Sequence, residues 1–580
     1  MNSEKSQKIW LGFAEKRPVG NGRVKINLFW GRILIVSFVL MIIGYLALTG
    51  GIYLLLKEKR GYARVTYADT LLLPIKQKEI KREQGLYQIE RGQEIAESAK
   101  DSQDLLQAER WIRQGLSRAP DQIEGRPFLA RMFMLRQQPN YALQTYEDGL
   151  PYAGRDLDFL RGYLQVLFVT KHEARALEVV QEYLPAQPDK SDKLNTLLAV
   201  AGMRAAVEVG EFQQAHQWYR DYGLDANPEA VLLAATALER VGRTDDAIDL
   251  LKSFVDRYDR PQFAEVMDAA RKMLMTLYQR QERYGDAAEV GFKRSIVLSE
   301  DPQPSIDLLK VYDAQGREQD VQRVVENLLR QFGDDAKAVA ALCNFATDTG
   351  RLDLVRRIYE TAIEKNLELA SFSLMFIEAH VTSGQFASGL AYIDDLVREN
   401  PDWLERQESV ISGLRAIAHY GLNDEKMGDL YLTEFLSSAR VRAGLLRNVA
   451  ARFEDVGRPD LARRVLLDAL EREPRDEQIL TKLVDLELEL GESRTITEHV
   501  GSLMDLVRPR LEKLETFYHG LNSDRFIFAP DREQRLEALA SAIEQAETGN
   551  LDYSLRPLDV IQQERQMQAA APQSEPVAAN

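Results

Sequence analysis

Two patterns of apolar positions run along this chain. The first is a block. From Ile33 to Leu56 there are 24 residues without a charge, bounded by Arg32 and Lys57. The second is a beat. Ala108, Ala142 and Ala176 recur every 34 residues, each followed four positions later by a large apolar residue, Ile112, Tyr146 and Val180. That spacing puts both residues on one face of a helix. Equivalent anchors follow at Ala215, Ala247, Ala287, Val321, Val355, Gly389, Met427, Ala462 and Ile496. The successive intervals are 34, 34, 39, 32, 40, 34, 34, 34, 38, 35 and 34 residues.

Turn signals sit ahead of many anchors: VGEFQQA at 209–215, VGRTDDA at 241–247, TGRLDLV at 349–355, SGQFASG at 383–389 and VGRPDLA at 456–462. Glycine ends one helix in the left-handed region and a polar residue opens the next. A second amphipathic stretch lies upstream of each turn, as in PEAVLLAATALERVG at 228–242, and Pro120, Pro188, Pro401 and Pro474 close units. The pattern predicts an all-α chain: one apolar helix, then about twelve helix-turn-helix units stacked side by side.

This text resembles the tetratricopeptide repeat family, whose period is about 34 residues. Leu129, Ala130, Phe133, Ala142, Tyr146 and Gly149 match its pattern, as do Val449, Ala450, Phe453, Ala462, Leu466, Ala469 and Pro474. Val321, Val355 and Ile496 depart from it by replacing the small anchor. The resemblance, to a membrane-anchored member, implies a right-handed α-solenoid over 88–510 whose inner groove receives protein partners. Some anchored relatives in lipopolysaccharide assembly carry a four-cysteine zinc module, for which this chain lacks the cysteines.

The apolar block reads as a transmembrane helix over 33–56. At about 1.5 Å per residue it covers a hydrocarbon core of about 30 Å with some tilt. A signal peptide has a shorter apolar region, and here a 32-residue basic tail, 1–32, precedes it. Flanking charges do not decide orientation. The net charge of +5 on the tail favours keeping it cytoplasmic, with the body outside the inner membrane. Ala47 and Gly51 form a small-xxx-small pair that would let two such helices pack as a homodimer. Residues 57–87 read as a stalk and leading helix, with TLLLP at 70–74 touching the membrane or the first repeat. Residues 511–549 read as capping helices, and 550–580 as a disordered tail.

Charge narrows the partners. The whole chain carries −16, yet residues 1–64 carry +8, leaving −24 on the remainder. So acidic a body repels phosphate backbones, which argues against nucleic acid. The single cysteine, Cys343, excludes an intrachain disulfide and a cysteine metal site, and its place in the pattern is a core position. Six dispersed histidines, no HExxH, no phosphate loop and no GxSxG point away from an enzyme, a cofactor or a metal. His380 falls at an aromatic packing position.

The family places groove-lining residues at three positions of each first helix. Carried over, these are the basic Arg131, Arg161, Arg204, Lys272, Lys310, Lys337 and Arg447, and the acidic Glu124, Asp158, Glu229, Glu378 and Asp485. Asn344 joins Lys337 on one unit, where lysine supplies charge and asparagine bonds a peptide backbone. A basic excess in an acidic body favours acidic or carboxylate-ended peptides. The expected function is a membrane-anchored scaffold or adaptor for an envelope complex, with polysaccharide export or pilus assembly as settings by family analogy. The alternative is a regulatory or composite-site subunit of a membrane enzyme.

Overall fold

The computed structural model describes residues 7–18, 24–55, 57, 66–185, 192–258, 264–399, 401–556, 560 and 563. The chain divides into two compact units, Met1–Thr170 and Lys171–Asn580.

The first unit opens with a feature that the basic tail concealed. Strands Gln7–Ile9, Ala14–Pro18 and Val24–Leu28 form a three-stranded antiparallel sheet, with Lys8 opposite Glu15 and Lys16 opposite Ile26. Val24, Ile26 and Leu28 alternate with Lys25 and Asn27, a period-two signal hidden by the basic composition. Helix Trp30–Leu54 follows, long and apolar enough to cross a membrane, with almost all of its most apolar stretch exposed. Ala47 and Gly51 are both exposed on it.

A short helix, Tyr67–Leu71, folds back onto this long one. Thr66 and Asp69 cap each other's backbone at its start. The Tyr67 hydroxyl donates to the Leu46 carbonyl at 3.2 Å, and Tyr53 meets Tyr67 edge-on. The TLLLP stretch therefore begins against the apolar helix, where the Tyr45 hydroxyl donates to the Leu71 carbonyl.

The expected stalk boundary at residue 87 falls inside helix Leu73–Glu97, which pairs with Ser102–Arg118. Small residues set this spacing. A Cβ on Gly92 would lie 2.5 Å from Ile112, and one on Gly115 would lie 2.7 Å from the Gly85 carbonyl.

The second unit is an α-solenoid of tetratricopeptide-like hairpins. After helix Glu173–Tyr183 comes a run of hairpins from Lys193–Val209 with Phe212–Asp221 to Leu511–Leu521 with Arg532–Thr548. Gly210, Gly242, Gly350, Gly384 and Gly457 all have positive φ at the ends of first helices, as the turn signals predict. The turn closes the same way each time: the N–H of Arg243, Arg351, Gln385 and Arg458 reaches the carbonyl of Leu238, Ala346, His380 and Phe453 at 2.8–2.9 Å. These bonds satisfy carbonyls that a helix end would otherwise leave open.

Eleven of the twelve anchors are buried; Met427 is not. The small residue that meets the first helix there is Gly428, where a Cβ would sit 2.8 Å from the Tyr420 ring. Close approach requires a small residue, so the anchor shifts by one and its interval to Ala462 becomes 34. Cys343 is fully buried, and burial pushes its thiol up to about 12. His380 is buried edge-on to Phe376, a packing residue as expected.

Candidate functional site: a lysine row and a self-contacting seam

Lys272, Lys310 and Lys337 occupy the first helices of three consecutive hairpins, Ala264–Arg280, Gln303–Ala314 and Ala336–Asp348. All three are exposed, and none forms an ion pair among the described residues. Carboxylates close to them in sequence have bonds of their own. Arg294, 2 % exposed, forks between Asp268 at 2.6 Å and Asp307 at 3.0 Å. Burial alone would lower its pKa, but the two carboxylates outweigh that and hold it raised. Asp334 pairs with Lys365 at 2.9 Å, while Asp335 accepts the Lys337 backbone N–H at the helix start. Asn344 is exposed two turns along the Lys337 helix, on the same face. The three hairpins thus present a row of exposed ammonium groups without ion pairs among the described residues, with an amide on the same face as Lys337.

The other residues of the predicted groove are placed differently. Arg204 is exposed. Arg447 is half-buried and bonded to Gln478, with Asp476 3.7 Å away. In the first unit Arg131 is exposed, and Arg161 pairs with Asp158 one turn before it. Of the acidic positions, Glu124 and Glu229 are exposed and Asp485 holds Lys513 at 2.8 Å. Glu378 is drawn to Arg452, which also reaches Asp348 and Asp455 at 2.8 and 3.3 Å. Burial would lower the Arg452 pKa; three carboxylates keep it raised. Beyond the lysine row, the face is thus closed by an ionic knot. A polar cavity of about 280 Å³ beside it is lined by Phe386, Tyr420, Arg452, Asp455 and Arg458.

The second unit also contacts itself across a long stretch of sequence. The Arg508 N–H donates to the Glu208 carbonyl at 2.6 Å, and Arg240 lies 3.5 Å from Glu208 and 3.7 Å from Glu477. Glu239 is shared by Arg280 and Arg510. Gly210 admits this approach: a Cβ there would strike Arg508. Burial depresses the pKa of Arg508 and of Arg280. Guanidinium groups dominate the seam because each offers several donors to carbonyls and carboxylates at once.

Residues 551–556 continue that seam. Leu551 and Tyr553 are 1 % and 3 % exposed, so the expected disordered tail does not begin at Asn550. The tail beyond lies almost wholly outside the described residues. The missed signal was alternation: Leu551, Tyr553 and Leu555 interleave with Asp552 and Ser554. The histidines serve several local contacts. His216 faces Tyr553, His419 stacks on Tyr431, and His499 bonds the buried Glu487 at 2.9 Å.

No protein-family model and no curated protein sequence matches the chain. Its likenesses are among solved structures. A tetratricopeptide repeat protein from Parabacteroides merdae shares 13 % identity over 45 % of this chain and 98 % of its own, with a TM-score of 0.27. Yeast Tom70 shares 11 % over 82 % of this chain and 99 % of its own, with a TM-score of 0.29. The pentatricopeptide repeat protein PPR10, solved with an 18-nt RNA element, shares 13 % over 78 % and 66 %, with a TM-score of 0.40. The chain is similar to helical-repeat proteins. The fold assignment itself rests on the hairpins, their buried anchors and their repeated turns.

Proposed function

We propose that this protein is a membrane-anchored scaffold that binds an acidic segment or chain end of a partner protein along Lys272, Lys310, Lys337 and Asn344. The observation that carries this reading is the lysine row: Lys272, Lys310 and Lys337 are exposed without an ion pair among the described residues, while Asp268 and Asp307 are held by Arg294 and Asp334 by Lys365. Three ammonium groups on consecutive hairpins fit an extended ligand with several carboxylates, and Asn344 supplies both a donor and an acceptor for its backbone. The net charge of −16 supports a protein ligand over a phosphate backbone. The protein holds its partner without making or breaking bonds.

Helix Trp30–Leu54 serves in this reading as the single membrane span, with the N-terminus cytoplasmic and the repeats outside the inner membrane. Exposed Ala47 and Gly51 would pair two spans. Assembly of an envelope complex, such as one for polysaccharide export or a pilus, is the setting this topology suits. A photo-crosslinking residue at Asn344, in native membranes, tests the row. Partner adducts are expected in the otherwise unaltered chain and should disappear with Lys272→Glu, Lys310→Glu and Lys337→Glu together. Adducts indifferent to those charges would overturn the reading. A reporter at the C-terminus that is active only in the cytoplasm should be silent.

A further inference from the structure

Residues 551–556, Leu-Asp-Tyr-Ser-Leu-Arg, carry no helix or strand and lie across the second helices of two hairpins, Phe212–Asp221 and Thr244–Tyr258. Each part of the segment has its own receptor. Arg243 donates to the Leu551 carbonyl at 2.8 Å, and Arg257 donates to the Arg556 carbonyl. The Tyr553 ring sits edge-on between His216 and Tyr219, with centroids 4.6 and 5.1 Å away. Asp225, 3 % exposed, accepts the Arg556 backbone N–H at 3.1 Å and its Nε at 2.9 Å. Every hydrogen bond to the Asp225 carboxylate among the described residues comes from Arg556.

A tail that merely rested on the surface would not need this. A carboxylate buried for one distant arginine costs stability whenever that arginine leaves. Main-chain carbonyls held by fixed cations, and side chains read at alternate positions, are how a protein recognises an extended peptide. We propose that this cleft is a peptide-binding site, separate from the lysine row, that reads leucine, tyrosine and arginine at positions i, i+2 and i+5. Residues 551–556 are its ligand in cis, and they act as a clasp over the two hairpins.

The test uses the full-length chain in detergent and a labelled peptide of residues 549–558, followed by fluorescence anisotropy. A chain with Tyr553→Ala and Arg556→Ala has a weakened clasp and should bind the peptide saturably, while a scrambled peptide should not bind. The unaltered chain should bind about a hundredfold more weakly, because the tethered segment competes at an effective concentration of millimolar order. Adding Asp225→Asn to the double variant should abolish binding. Binding that ignores Asp225, or none to a double variant that keeps its helical circular dichroism, overturns the proposal. Hydrogen exchange on the unaltered chain needs no variant. The amides of 551–556 should exchange far more slowly than in the free peptide, and equal rates would also overturn it.

Discussion

Asp225 and Arg556 stand 331 residues apart in the chain and bond through Nε at 2.9 Å, with the carboxylate buried and the guanidinium partly open to solvent. Removing the arginine would strand a charge, whereas removing the charge leaves an amide that still accepts one bond. Arg556→Ala should therefore destabilise the second unit by about 3 kcal/mol and Asp225→Asn by less. Urea unfolding followed by circular dichroism measures both; equal, negligible losses would show that the pair contributes nothing.

Glu282 takes the place of the turn glycine between helices Ala264–Arg280 and Tyr284–Val297, at φ +57°. A side chain in that region costs about 1–2 kcal/mol, less the greater entropy that glycine loses on folding. Glu282→Gly is expected to stabilise by about 0.5–1 kcal/mol, and Gly350→Ala to destabilise by about 1 kcal/mol although open space surrounds it. Thermal melting of the two variants should move in opposite directions.

Gly115→Ala brings a methyl group to 2.7 Å from the Gly85 carbonyl, a backbone atom that cannot swing aside. The first hairpin must open, at a cost of about 1–3 kcal/mol. Limited proteolysis should cut between Leu73 and Arg118 earlier in the variant than in the unaltered chain.

Glu487 is fully buried and held by Arg463 at 2.9 Å, by the Thr495 hydroxyl and by His499. Burial would raise its pKa, but these partners outweigh it and the value is lowered from 4.5. The carboxylate then contributes stability that is fully present above 4.5 and fades as pH falls through the lower folded value. Glu487→Gln should cost about 3 kcal/mol at neutral pH, and the difference from the unaltered chain should shrink in acid. Urea midpoints measured along a pH series would show that convergence.

Cys343 keeps its proton at pH 8, because burial has pushed its thiol up to about 12. A thiol reagent should label it only as fast as the surrounding hairpin opens. Labelling as quick as that of the urea-unfolded chain would place the thiol on the surface.

The hairpins are legible in the local periodicity of the sequence. Ala142, Ala215 and Ala462 are small because two helix backbones meet there, and that need leaves a mark at intervals of 32–40 residues. The periodicity points to Met427, and packing against Tyr420 moves the anchor to Gly428. The lysines of the candidate row could be placed from the repeat, but their lack of counter-ions could not. Only the fold shows Asp268 and Asp307, from two different helices, meeting on Arg294. The seam was hidden for a further reason. Contacts such as Arg508 to Glu208 arise from small rotations summed over many hairpins, and no single stretch of text encodes that sum.

Glu239, shared between Arg280 and Arg510, has one more consequence. A linear array of repeats ordinarily frays from its ends, because a terminal repeat has a neighbour on one side only. Here the late hairpins rest on early ones, so the loosest repeats are propped by some of the earliest. Melting one end therefore removes support from the other, and the second unit should lose its structure in a single concerted step rather than peel away hairpin by hairpin.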